Sequence, residues 1–264
     1  MTKILVGCDP EVFVKKDGVF KSAFGLIVGD KKNPQKVHRG AVQVDGMALE
    51  FNIDPAATED EFVINVNDVL ATMKGMVPGY EVVATPVAYF DLEYLRSQPA
   101  AALELGCDPD YDAWTGLANE KPDAERPMRT ASGHVHIGWT QDEDISTPLH
   151  RGNAMVVARQ MDFFLGLGSL FYDNDQERRS MYGKGGCCRI KPYGVEYRTL
   201  SNAWLNADER MRWVFRQVQV GMERVFSGDL LQERHGDIRE IINTGDKKAA
   251  AKIIKSEKLE ICTC

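Results

Sequence analysis

Apolar and polar positions along this chain follow two rhythms. Strict alternation marks strands. "PEVFVKKDGVFKSAFG" predicts a hairpin turning at Asp17–Gly18, and "GAVQVDGMALEFNID" predicts two short strands around Asp45–Gly46. "YEVVATPVAYF" reads as one strand, and "CCRIKPYGVEYRTLS" as a hairpin turning near Pro192–Gly194. The helical period marks the rest. Thr58-Glu59-Asp60-Glu61 forms a capping box that opens a helix through about Met76, and "DLEYLRSQ" predicts a short helical piece. Residues 147–173 predict one long apolar helix. Asp208 to Phe226 predicts an amphipathic helix with Met211, Val214, Phe215, Val218 and Met222 on one stripe. "GDKKAAAKIIKSEKLE" predicts a charged surface helix with solvated lysines. Neither a repeat nor a Gly/Ser linker divides the chain, so the expectation is a single α+β domain over 1–264, with 237–264 as a peripheral helical tail. Its core is expected to be a curved, mainly antiparallel sheet with helices on one face.

Four of the apolar stretches carry two polar side chains at i and i+2. They are Asp9 and Glu11 in "GCDPEVFV", Glu50 and Asn52 in "MALEFNID", His134 and His136 in "SGHVHIGW", and Glu196 and Arg198 in "YGVEYRTL". Side chains two apart in a strand share a face, about 7 Å from each other. If all four strands lie in one sheet, carboxylates, imidazoles and a guanidinium converge on one surface. Carboxylates beside imidazole describe a divalent-cation site, and an arginine beside that describes a phosphate. Energy argues that the convergence has a purpose. Two carboxylates about 5 Å apart repel by roughly 3 kcal/mol at an effective dielectric near 20, while a whole domain is stable by only about 5–15 kcal/mol. Bound cations remove that repulsion. One acid in a strand is ordinarily a solvent-facing residue; four such pairs together are not.

At 264 residues and 44% hydrophobic, the chain is long enough for one large core or two small ones. A formal charge of −7 argues against loose nucleic-acid or anionic-membrane binding. "MTKILVGCDPE" does not read as a signal peptide, and no run approaches the ~20 apolar residues of a membrane span, so no membrane partner is expected. Six cysteines (Cys8, Cys107, Cys187, Cys188, Cys262, Cys264) contain no C-x-x-C pair and are expected to be reduced thiols. Residues 100–130 are the least regular stretch. They bear Asp108, Asp110 and Asp112 near Tyr111 and Trp114, a composition suited to gripping an amine, and are expected to form a mobile substrate loop.

In order, the strands present Asp/Glu, then Glu, then G-H-x-H, then E-x-R. With "GCDPEVF", "VDGMALEFNIDPA", "TASGHVHIGW" and "RRSMYGKGGCCRIKPYGVEYRTLSNAWL", this order resembles the phage-type carboxylate–amine ligases of the glutamine synthetase and glutamate–cysteine ligase superfamily, over most of residues 7–205. The resemblance implies a glutamine synthetase-like catalytic domain that uses ATP and two Mg²⁺ or Mn²⁺ ions to join a carboxylate to an amine through an acyl phosphate. It implies that Glu11 and Glu50 hold one ion, and that Asp9, His134 and Glu196 hold the second. Asp9 stands where superfamily members usually carry Glu, and so reaches one methylene less far. His136, Arg198, Arg189 and Gly185 are then candidates for the nucleotide side, with Asn52 and Asp45 in support. Glu196, Arg198, Arg189 and Arg179 are the candidate catalytic group, and Arg178 is expected at the surface. The substrates implied are small-molecule or peptide acids and amines, in a bacterial or phage-infected cytoplasm, with a monomer or small homo-oligomer. A metal-dependent hydrolase or oxygenase without nucleotide, a guanidino kinase, or a non-catalytic binding module are the competing readings. ATP consumption and amide product discriminate among them.

Overall fold

The computed structural model describes residues 3–103, 110–120 and 126–262. Strands follow in chain order: β1 (Leu5–Cys8), β2 (Glu11–Lys16), β3 (Val19–Lys21), β4 (Gln35–Val37), β5 (Gly40–Asp45), β6 (Ala48–Ile53), β7 (Glu81–Val83), β8 (Val87–Tyr89), β9 (Tyr111–Asp112), β10 (Met128–Thr130), β11 (Val135–Gly138), β12 (Cys187–Lys191) and β13 (Gly194–Tyr197). The expected hairpins are present as β2–β3, β5–β6 and β12–β13. The fold is mixed, with antiparallel sheets and helices packed on them.

The four polar-pair strands do not share one sheet, contrary to expectation. β1, β11, β13, β12 and β9 form one antiparallel sheet in that order; β3, β2, β6, β5 and β4 form a second, with β7 also paired to β2. Glu11 and Glu50 therefore belong to one sheet, and His136 and Glu196 to the other. The break falls at Asp9–Pro10, between β1 and β2. Proline has no N–H to continue a ladder, and here Pro10 only accepts, through its carbonyl, from Phe51 N at 3.2 Å. The sheets still touch along this seam. Val6 pairs with Ala56, while Asp9 N and Glu11 N donate to His134 O and Ser132 O.

A second proline makes another break. The run 80–90 forms two strands, β7 and β8, separated at Thr85–Pro86; β7 joins β2, and β8 pairs with β10. The stretch 147–173 departs from one regular helix as well. It runs as an α-helix over Pro148–Met161, a π-helical turn over Asp162–Gly166 and a short α-helix over Leu167–Ser169. Gly166 fits this turn because a Cβ there would lie 2.8 Å from both Ile242 Cδ1 and Tyr197 Oη.

The helix Glu59–Met76 starts as the capping box predicts, with Glu61 N donating to Thr58 Oγ1 at 3.3 Å; the Glu61 side chain accepts from Ala57 N. It packs on β5 and β6, the Pro148–Met161 helix packs on β12 and β13, and the helix Asp208–Ser227 packs against both. Val6, Val12, Leu49, Phe51, Ile137, Val195 and Tyr197 point into this shared core, which leaves the alternate positions on the opposite face. That opposite face is not bare. Beyond Glu11 on β2, Phe13 seeds a smaller core with Met47, Phe90 and Leu95, so a short helix, Leu92–Arg96, lies on the second face too. A third cluster joins Phe163, Phe164 and Leu167 to Ile242, Ala250 and Ile254 of the last helices. No helix among the described residues is long and apolar enough to cross a membrane.

Candidate functional site

Strand register aligns two polar rows. Across the first sheet, His136 of β11 and Arg189 of β12 both stand opposite Glu196 of β13. Across the second, Gln43 of β5 and Glu11 of β2 both stand opposite Glu50 of β6. Asn52 lies two positions along from Glu50, opposite Ala41. Asp9, at the seam, bridges the rows: its Oδ1 is 3.2 Å from His134 Nδ1 and 3.1 Å from His136 Nε2. The convergence expected from one sheet is thus reached by two sheets meeting at an acid.

Glu196 is fully buried and ringed by cations. Arg189 Nη1 lies 3.2 Å from its Oε1, Lys191 Nζ lies 2.9 Å from its Oε2, and Arg198 Nη1 donates to Oε1. Arg198 is engaged on all sides. Its Nε donates to Asp110 at 3.1 Å, its Nη2 to the Tyr182 hydroxyl, and its Nη1 lies 3.3 Å from His134 Nδ1. The Tyr182 ring lies beside two guanidinium groups, with Arg178 5.7 Å and Arg198 5.5 Å from its centroid. In the other row, Glu11 accepts from Ser132 N at 2.7 Å, Glu50 accepts from Gln43 at 2.7 Å, and Lys31 pairs with Asp45 at 2.7 Å.

Electrostatics separates the groups. Burial opposes ionisation of Asp9, yet His136 and His134 hold its carboxyl well below the usual range. Burial, helped by Asp45, pushes Glu11 up to about 7. Burial also pushes Glu50 well up, with Asp9, Asp45 and Glu11 adding to the shift. Burial and then Arg198 lower His134 to about 4. His136 moves the other way: burial lowers it, but Asp9 more than compensates. The two glutamates facing each other are thus both pushed toward the neutral form, which a bound cation would reverse.

Ligand atoms of Asp9, His136 and Glu196 lie within 4.8 Å of one another. Asp9 Oδ1, His136 Nε2 and His134 Nε2 are buried with no aligned hydrogen-bond partner among the described residues. Two carboxylates and an imidazole gathered this closely can hold a divalent cation such as Mg²⁺ or Mn²⁺. The Tyr193 hydroxyl bonds His136 Nδ1 and stacks on its ring at 5.9 Å, fixing which nitrogen faces Asp9.

The residues expected at the site divide into two groups. Asp9, Glu11, Glu50, His134, His136, Arg189, Glu196 and Arg198 are brought together. Arg179 is buried elsewhere, 3.2 Å from Asp173 and Ser169. Gly185 packs on Arg239 and Ile242, and its N–H donates to Asn243, so its backbone faces the protein. The expectation that Arg178 lies at the surface is wrong. It is fully buried and donates to the Thr199 and Leu200 carbonyls, which end β13's polar run. Of the loop acids, Asp110 meets Arg198, Asp112 pairs with Arg239, and Asp108 lies outside the described residues. Lys191, Tyr182 and Tyr193 join the site without having been singled out there, and Asp110, expected to face the substrate amine, instead bonds Arg198. Lys191 had a legible signal, since it sits two positions from Arg189 on the same face of β12.

The family described as Phage phiEco32-like COOH.NH2 ligase-type 2 matches residues 130–263. Among curated proteins none matches the chain significantly. Of solved structures, a bifunctional glutathione synthetase from Pasteurella multocida superposes with a TM-score of 0.46 at 10% identity, covering 97% of this chain and 49% of that one. The chain spans about half the length of that structure.

Proposed function

The chain belongs to the phage phiEco32-like COOH.NH2 ligase-type 2 family, and from that premise we propose that it is an ATP-dependent carboxylate–amine ligase with a glutamine synthetase-like catalytic domain. A carboxylate does not react with an amine at neutral pH, because its oxygen is a poor leaving group. Transfer of the ATP γ-phosphoryl group to the carboxylate oxygen makes an acyl phosphate and ADP. The amine nitrogen then attacks the acyl carbon, and phosphate leaves with the C–O bond's electron pair.

The observation that carries this reading is the junction of two acid rows beside Arg189, Lys191 and Arg198. Divalent cations, when bound, neutralise phosphate charge; Glu11 with Glu50, and Asp9 with Glu196 and a histidine, would hold two of them. Arg198 and Arg189 present guanidinium forks to phosphate or carboxylate, and Lys191 adds a point charge. Glu196, as partner of all three, keeps them pointed into the site. Asp110 carries the 110–120 segment to the same place, which supports a substrate-facing role for it. One chain supplies both rows, which fits a monomer or small homo-oligomer.

An ATP-consumption screen of paired acids and amines, read by mass spectrometry, tests this. The expected product is lighter than the sum of its substrates by one water and forms in step with ADP and phosphate. A phosphorylated guanidine would make the chain a kinase instead. No MgATP binding by calorimetry, together with no turnover of any pair, would overturn the reading.

A further inference from the structure

Asp162 is a buried carboxylate that the chemistry above leaves unused. It opens the π-helical turn in the helix layer, behind the sheet. Three donors reach it from three separate segments. Oδ1 accepts from Gly186 N at 2.9 Å and from the Tyr197 hydroxyl at 2.8 Å, and Oδ2 accepts from Trp114 Nε1 at 2.6 Å. None of these donors is charged. Burial pushes the Asp162 pKa up to about 7 against their pull. Asparagine would offer one acceptor oxygen and turn an NH₂ group toward another donor, so only a carboxylate satisfies all three.

Each donor sits next to site residues. Tyr197, the last residue of β13, lies between Glu196 and Arg198, and alternation sends its ring to the helix layer while they face the site. Gly186 immediately precedes β12, which bears Arg189 and Lys191. Trp114 anchors the segment whose Asp110 accepts from Arg198. Gly186 also makes room for the indole: it has φ +79°, and a Cβ there would lie 2.6 Å from Trp114 Cδ1. π-Helical turns concentrate at functional sites.

We propose that Asp162 is a positioning residue, a single fixed carboxylate that seats β13, the start of β12 and the 110–120 segment together and so holds Arg198, Arg189 and Asp110 in one constellation. Its catalytic consequence rests on the ligase reading; the tether itself does not. Hydrogen exchange on the full metal-free chain tests the tether. In Trp114→Phe, amides protected within 110–120, such as Asp112 and Asn119, should exchange several-fold to about 10-fold faster, as expected for one lost hydrogen bond. Gly186 should keep its rate. In Asp162→Asn the region that its NH₂ group faces, 110–120 or Gly186, should exchange faster, while amides of the Pro148–Met161 helix do not; where that region is 110–120, Asp162→Asn/Trp114→Phe should match Asp162→Asn there. The second readout is turnover below the melting temperature, with the acid–amine pair the screen identifies: kcat should fall in Asp162→Asn with MgATP affinity unchanged. Unchanged 110–120 exchange in Trp114→Phe overturns the tether, and equal acceleration of the helix in Asp162→Asn reduces Asp162 to a packing residue. Normal kcat in folded Asp162→Asn overturns the positioning role. If Asp162→Asn does not fold, Trp114→Phe decides the matter by the same exchange and kcat measurements. A wild-type chain that neither binds nor consumes ATP defeats the ligase reading, while the exchange rates still decide the tether.

Discussion

Glu11→Gln should make the metal-free protein more stable and weaken its response to metal. Burial, with Asp45 behind it, raises the Glu11 carboxyl from 4.5 to about 7. The native chain therefore holds a proton that the unfolded chain releases near 4.5. Stability from this group is intact below that value and falls as pH rises through about 7. At about 1.4 kcal/mol per tenfold, the loss approaches about 3 kcal/mol by pH 8. Glutamine is neutral, nearly isosteric, and keeps an oxygen for Ser132 N. In EDTA at pH 8 the variant should therefore gain up to about 3 kcal/mol, or roughly 6–10 °C in melting temperature for a chain of this size. At pH 4.5 the two proteins should nearly coincide. Asp9 runs the opposite way, since its depressed carboxyl adds stability as pH rises, so only the difference between wild type and variant isolates Glu11. Thermal melts in EDTA at both pH values, repeated with Mn²⁺, supply the measurement. Mn²⁺ should raise the melting temperature of the wild type by more than that of the variant, which keeps the group Asp9, His136 and Glu196. A variant no more stable than wild type at pH 8 in EDTA, or a gain equal at both pH values, would refute the reasoning.

Arg198→Lys keeps the charge but loses the fork that reaches Glu196, Asp110 and Tyr182; single-turnover rates on the folded protein should fall about 10²-fold with MgATP affinity changing far less, and wild-type rates would make Arg198 a structural ion pair. Tyr193→Phe removes the partner of His136 Nδ1, so Mn²⁺ affinity, titrated by electron paramagnetic resonance, should drop about 10-fold or more; an unchanged affinity means the ring is oriented by other contacts. Thr58→Ala removes a helix cap whose bond is to Glu61 N rather than to either acid row, and urea denaturation should show a loss of about 1 kcal/mol with Mn²⁺ affinity intact.

Local pattern carried much of this fold into view. The Asp17–Gly18 and Asp45–Gly46 turns, the Thr58 cap and the stripe on Asp208–Ser227 all follow from short-range chemistry, and the structure has each of them. Polar alternation likewise placed Glu11, Glu50, His136 and Glu196 on the faces they occupy. What escaped were decisions made between segments. Pro10 and Pro86 were visible as residues, but their effect was to hand one continuous run to two different pairings, which alternation alone does not reveal. The π turn at Asp162 depends on donors that lie 24, 35 and 48 residues away. Arg178 sits on a six-residue helix too short to display a buried face by periodicity. Asp110 reaches Arg198 from a segment with no period at all. Lys191 was legible and overlooked: it repeats Arg189 at i+2 on the strand opposite Glu196.

The seam at Asp9–Pro10 has a mechanical side. One row of acids is carried by each sheet, and the strand that joins the sheets lacks a ladder donor at their junction. Bending there changes the distance between the rows before it changes any spacing inside them. A ligand that gripped both rows at once would act as a rivet across that joint.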